Sequence, residues 1–130
     1  MEFSIIIPTF KNFNYCKLTL DSIKENSSFK HELIVHLNGI DHQTENYLKT
    51  ENILFTKSDK NIGLCSGVNT AYKKSSKNFV LYSHDDMYFL PNWDNALVKE
   101  MTSINSSKFY LSMTQIAPSG HVKGSIQHIQ

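Results

Sequence analysis

Asp85 and Asp86 stand side by side at the end of an apolar run, in the stretch FVLYSHDDMYF over residues 79–89. Two adjacent carboxylates repel each other, and at the tip of a buried strand they are also partly desolvated. A divalent cation would relieve both penalties. Mg²⁺ and Mn²⁺ take carboxylate oxygens and fill their remaining positions with water and substrate phosphates. A plainer explanation competes, because acidic residues after a strand also cap the following helix or orient a turn. His84 precedes the pair. It reads either as a group hydrogen-bonded behind a metal ligand or as a solvated loop histidine, and the second is favoured because nothing pairs it with a partner. The other histidines, His31, His36, His42, His121 and His128, show no ligand spacing.

The elements that must position this pair follow from hydrophobic patterning. Residues 4–7 are β-branched and continuous rather than alternating, which suits a strand buried on both faces and ended by Pro8. A helix capped by Asn14 follows to about Glu25, with Leu18, Ile23, Tyr15 and Leu20 expected on one face. ELIVHL over 32–37 is a second strand, stopped by the turn-forming Asn38-Gly39. A short polar helix over 43–49 leads to a third strand over 53–55. The loop 57–63 opens a helix over 64–74 with Val68 and Tyr72 at spacing four. Residues 78–82 form the fourth strand, and a helix over 91–101 carries Pro91 in its first turn. A fifth strand is expected over 108–113 and a turn at PSGH, 118–121.

Strand and helix in alternation imply an α/β fold, with right-handed crossovers, a parallel sheet and helices on both faces. In such sheets ligands sit beyond the carboxyl ends of the strands. That rule gathers Pro8, Thr9 and Phe10, the Asn38-Gly39 turn, the loop 57–63 and His84-Asp85-Asp86 on one rim.

The 130 residues suffice for a single domain with a real core, 40% hydrophobic and 19% charged. A net charge of +1, with no basic cluster beyond Lys73-Lys74, argues against a nucleic-acid binder but leaves a nucleotide ligand open. No window approaches a membrane span, and the apolar start is too short for a secretory signal. Cys16 and Cys65 read as free buried thiols in a reducing compartment, with a metal pair or a disulfide as the alternatives; with no targeting signal or span, a cytoplasmic protein, or the cytoplasmic part of something larger, is expected.

Three motifs in order, SIIIPTFKN, KNIGLCSGVNTAYKKS and FVLYSHDDMYFLPNWD, resemble the nucleotide-binding half of inverting family 2 glycosyltransferases with the GT-A fold. The resemblance covers roughly residues 3–115, includes the Pro91 and Trp93 segment, and implies a sheet of order 3-2-1-4. It implies that Pro8, Thr9 and Phe10 line the base and ribose of a nucleoside diphosphate, with a UDP-sugar the foremost donor. Phe10 stands where the family often has Tyr, so it can stack on a base without donating a hydroxyl bond; the alternative is an ordinary core aromatic. The acid that the family places at the second strand tip is missing, and Asn38 could take its place through its amide. Otherwise Asn38-Gly39 is only a turn, and Asp41 is the weaker substitute. Lys60 and Asn61 lie where the family's loop approaches the base, and Gly63 permits close backbone approach. Asn69 reads as a loop-to-helix hydrogen bond. Asp85 would reach ribose or metal, and Asp86 would be the principal ligand of Mn²⁺ or Mg²⁺.

Inversion needs a base to deprotonate an acceptor hydroxyl. The resemblance implies a carboxylate beyond the fifth strand, yet no Asp or Glu follows Glu100 and the chain given stops at Gln130. The acceptor-binding half is therefore expected to be missing, and the catalytic base and acceptor stay unassigned. Surface left bare by a missing half would favour self-association. The alternatives are a non-catalytic nucleotide-sugar-binding module or a fragment of a larger transferase. A receiver-type signalling domain is disfavoured, because its acidic pair follows the first strand, where this chain has Pro8-Thr9.

Overall fold

The computed structural model describes residues 1–106, 108–113, 115–116 and 122–123. Two compact units make it up, Met1–Trp93 and Asp94–Gln130. The first holds β1 (Phe3–Thr9), α1 (Phe13–Asn26), β2 (Glu32–Asn38), α2 (His42–Thr50), β3 (Leu54–Ser58), α3 (Leu64–Tyr72) and β4 (Phe79–Tyr82). Helix α4 (Trp93–Ser103) starts at the last residue of that unit. The second unit adds β5 (Gln115–Ile116) and β6 (Val122–Lys123), paired antiparallel.

Strands β1 to β4 form one parallel sheet in the order β3-β2-β1-β4. All seven residues of β1 are buried, as its unbroken apolar run requires of a central strand. Side chains alternate between the two faces. Ile6 joins Ile34, Ala71 and Val68 beneath α3. Phe3, of opposite parity, stacks on His31 with ring centroids 5.0 Å apart and meets Trp93 at 6.3 Å. Right-handed crossovers put α1 and α2 together on this second face. There the Tyr47 hydroxyl donates to Asp21 at 2.8 Å and the Phe13 ring meets Tyr47 edge-on.

Several boundaries differ from the sequence expectations, each for a local reason. Pro8 does not end β1 but lies inside it. The Ile6 carbonyl accepts from Ser83 N–H on the β4 side at 3.0 Å, so Pro8, two residues on, turns its hydrogen-less nitrogen to the same side. There β4 has already ended, and no ladder bond to β2 is lost. Asn12 rather than Asn14 caps α1. The buried face of α1 is Cys16, Thr19, Leu20, Ser22 and Ile23, while Tyr15 and Leu18 are exposed. Thr and Ser fit on the buried face because they are small; Ser22 is satisfied, donating to the Thr19 carbonyl and accepting from Phe89 N–H, whereas the Thr19 hydroxyl has no hydrogen-bond partner among the described residues. Tyr72 is exposed, and α3 buries Gly67 and Ala71 instead.

Pro91 lies in a turn ahead of α4, where Asn92 takes a φ of 63°. The expected fifth strand over 108–113 is not regular structure, since strand-forming side chains make no strand without a ladder partner. The expected turn at 118–121 lies outside the described residues. Cys16 is buried as expected, but Cys65 is exposed; both are free thiols. No helix among the described residues is long and apolar enough to cross a membrane.

Candidate functional site

The strand order reverses between β1 and β4. The chain steps outward from β1 to β2 to β3, then returns across the sheet to place β4 on the far side of β1. The crevice at the carboxyl ends of β1 and β4 is where such sheets bind ligands. Thr9, the last residue of β1, is buried there, and its Oγ1 donates to Asp85 Oδ2 at 2.6 Å. One carboxylate of the acidic pair is thus fixed to the central strand. Asp86 is exposed and takes no hydrogen bond or ion pair among the described residues.

The loop carrying the pair is held at both ends. On one side it leaves the sheet at Ser83. On the other, Phe89 N–H donates to Ser22 Oγ at 3.0 Å, and Asn26 Nδ2 donates to the Phe89 carbonyl at 2.7 Å. Trp93 packs edge-on against Phe89 at 4.8 Å and donates its indole N–H to Ser27. The apolar residues that resume after the aspartates therefore act as an anchor on the end of α1. His84 is exposed, and its ring lies 5.3 Å from that of Tyr82. Burial, then the charges of Asp85 and Asp86 with Cys65 between them in weight, raise the Tyr82 phenol above its ordinary pKa.

A second group of site residues sits one step along the same edge. The Phe10 ring is about half exposed, at 49%, so it is no core aromatic. It lies against Gly39, where a Cβ would come within 3.1 Å of Phe10 Cε2. Gly39 has a φ of 127°, a conformation that side chains oppose. Lys11, with a φ of 50°, places its ammonium 5.6 Å from the Phe10 ring centre. A shallow cleft beside it is lined by Lys11, Tyr15, Asp41 and Gln43 among others.

Asn38 is buried, and both ends of its amide hold the β3–α3 loop. Its Oδ1 accepts from Ile62 N–H at 2.8 Å, and its Nδ2 donates to the Gly63 carbonyl at 3.3 Å. Asn61 Oδ1 accepts from Gly63 N–H at 2.8 Å, closing the loop on itself, and Gly63 caps α3 with a φ of 85°. Lys60 is exposed, as is Asn69 on α3. Asp41 caps α2, accepting from Thr44 N–H and Oγ1 at 3.1 and 2.6 Å. That engagement takes it away from the base-contacting role.

The structure thus brings Thr9 to Asp85 and Phe10 to Gly39, which in turn lies beside Asn61, with Thr9 and Phe10 adjacent in the chain. Sequence reading did not single out Lys11, Tyr82 or the grip of Asn38 on the loop. Only the last left a trace, in the buried polar residue that a strand-ending Asn becomes when the following Gly turns the chain.

The donor set suits a hard cation only in part. Among the described residues no group of three or more His, Cys, Asp and Glu side chains could hold a metal ion. Two carboxylates, one of them exposed, match instead an ion such as Mg²⁺ that keeps most positions for water and phosphate.

The chain was compared with known proteins. No curated protein matches it. Among solved structures, S. aureus TarS 1-349 superposes with a TM-score of 0.70 at 22% identity, over 79% of this chain and 33% of that one. Its complex with UDP-GlcNAc gives a TM-score of 0.70 at 22% identity, over 79% and 32%. The complex with UDP gives 0.65 at 24%, over 75% and 31%. These likenesses establish the fold, and the chain spans about a third of the length of those structures. The model of glycosyl transferase family 2 matches residues 4–122. With that match running along a sheet of the order β3-β2-β1-β4, the chain belongs to glycosyl transferase family 2.

Proposed function

We propose that this chain is the nucleotide-sugar-binding part of an inverting glycosyltransferase, with residues 1–130 acting as one binding domain. The observation that carries the reading is the Thr9–Asp85 bond, which ties the acidic pair to the central strand where the strand order reverses. Pro8 and Thr9 floor the ribose side of the site. Phe10, propped by Gly39, offers an exposed ring for a base to stack on. Lys60, Asn61 and Gly63 form the wall beside the base, and Asn38 holds that wall rather than reading the base through a free amide. The UDP-GlcNAc and UDP complexes of the structural neighbours make a UDP-sugar the first donor to try, with UDP as the simplest probe of its nucleotide site.

Asp86 and Asp85 would hold Mn²⁺ or Mg²⁺. Bound there, the cation would act as a Lewis acid toward the charge developing on the leaving diphosphate. The residues themselves set its place: Thr9 orients Asp85, and the Phe89 anchor fixes the loop. Transfer also needs a base for the acceptor hydroxyl, which no residue here is assigned to supply. A non-catalytic nucleotide-sugar-binding module is the second reading. The free thiols support a cytoplasmic location.

The test is calorimetric titration of UDP into the wild-type chain and Asp86→Asn, with Mn²⁺ and with EDTA. Wild type should bind UDP more tightly with the metal. Even residues behind metal ligands cost roughly 10–100-fold in metal affinity, so Asp86→Asn should lose the metal-dependent gain by at least about tenfold. Its folding stability should change by no more than about 0.5 kcal/mol, as for an exposed side chain. Equal UDP affinity with metal and with EDTA would remove the cation, and no UDP binding at all would remove the nucleotide site.

A further inference from the structure

His36 is fully buried in the middle of β2, and nothing in the proposed reaction uses it. It lies on the α3 face with Ile34 and Asn38, and every polar atom of its ring meets a partner. Nδ1 lies 2.8 Å from Thr56 Oγ1, its register neighbour on β3. Nε2 lies 3.4 Å from Ser58 Oγ, at the end of β3. Ser58 has one hydroxyl hydrogen, and of its two carbonyl acceptors, Lys60 at 2.8 Å and Leu37 at 3.5 Å, the Lys60 oxygen is much the nearer and takes it. Ser58 therefore meets Nε2 as an acceptor, which puts the imidazole hydrogen on Nε2 and leaves Nδ1 to accept from Thr56. Desolvation lowers the pKa of His36 and so favours the neutral ring that this arrangement needs.

The same ring also supports the other end of the loop. Gly67, buried in α3, approaches so closely that a Cβ there would fall 2.8 Å from His36 Cδ2. Both flanks of the 59–63 loop, Ser58 before it and the first turns of α3 after it, thus rest on one imidazole. Two residues along the same strand face, Asn38 holds Ile62 and Gly63 directly.

We infer that His36 is a positioning residue for the 59–63 loop, acting through a directed relay from the Thr56 hydroxyl through the imidazole and Ser58 to the Lys60 carbonyl. The link to ligand binding rests on the nucleotide reading above. The relay itself can be read in the ligand-free protein.

Amide hydrogen exchange over residues 60–63 is the direct measurement. His36→Gln keeps a donor at about the reach of Nε2, whereas His36→Met keeps the reach and loses the donor. One net hydrogen bond corresponds to roughly a three- to tenfold change. Exchange in His36→Met should speed by about that factor, with His36→Gln near wild type. Ser58→Ala, which also deletes the bond to the Lys60 carbonyl, should speed exchange at least as much as His36→Met, and the Ser58→Ala, His36→Met double variant should exchange like Ser58→Ala alone. Should the His36 variants fail to fold, Thr56→Val reads the relay from its far end and should also speed exchange. Equal exchange in the Gln and Met variants would overturn the relay, as would a Thr56→Val loop that exchanges like wild type. UDP affinity should fall in step with exchange. If wild type binds no UDP while the exchange pattern holds, the nucleotide reading fails and the relay stands.

Discussion

Replacing Thr9 with Val deletes the hydroxyl that donates to Asp85 at 2.6 Å and leaves the outline of the side chain almost unchanged. A hydrogen bond to an ionised acceptor is worth about 1.5–3 kcal/mol when its partner is left unsatisfied. Asp85 is only half-buried, so water recovers part of that contact and the expected loss is about 1–2 kcal/mol. In a domain of this size that lowers Tm by roughly 3–8 °C. Thr9→Ser keeps the hydroxyl and loses a methyl, so it separates the bond from the packing. Thermal melts of the three proteins, with urea titrations to check that the m-value is unchanged, should place Thr9→Ser between wild type and Thr9→Val. If Thr9→Val melts within about a degree of wild type, or no lower than Thr9→Ser, then the bond does not hold the acidic loop. UDP titration on the same proteins adds the functional half, because an Asp85 released from β1 should weaken binding even where the fold survives.

Gly39→Ala should cost about 1–3 kcal/mol of stability, from its φ of 127° and a Cβ 3.1 Å from the Phe10 ring; a urea melt within 0.5 kcal/mol of wild type would contradict that contact. A thiol-specific chromogenic reagent should label Cys65 at once and Cys16 only on unfolding. Cys16 is 1% exposed, and burial with the nearby Asp85 charge pushes its pKa up to about 12; two fast thiols would refute this. Stability should fall as pH drops below about 6.5. The unfolded chain takes up a proton on His36 there, while the folded chain, its pKa lowered, does not. His36→Gln should flatten that part of the stability–pH curve, and parallel curves would count against it.

The sheet was legible in the sequence because its central strands are buried on both faces and so carry continuous apolar runs. The order β3-β2-β1-β4 came from the family resemblance, since periodicity does not order strands. The helix faces were harder to read. Leu20 and Ile23 of α1 are buried as the spacing suggested, but Thr19 and Ser22 are buried although they are polar, and Tyr15 and Leu18 face out although they are not, so apolar spacing gave only part of the buried stripe. Strand-forming residues over 108–113 carry propensity without a partner, and a partner is not written in the segment itself. At the site, residue types at strand ends located the rim, but not which side chains there are already committed. Asn38 and Asp41 looked available for a ligand until their hydrogen bonds to the 61–63 loop and to α2 were seen.

The position of Pro8 has a consequence for its neighbour across the sheet. A parallel ladder lengthens by rungs, each needing an amide hydrogen from one strand and a carbonyl from the other. After the rung between Ser83 and Ile6, the next would call on the nitrogen of residue 8, where the pyrrolidine ring has no hydrogen to give. Extending β4 further along β1 would therefore forgo that bond and leave the Ser83 carbonyl without its ladder partner. The strand ends there, and the residues that follow it off the ladder are His84, Asp85 and Asp86. The end of one strand thus coincides with a missing donor on another, and the acidic pair leaves the ladder opposite a proline far away in sequence, where a longer strand would gain least.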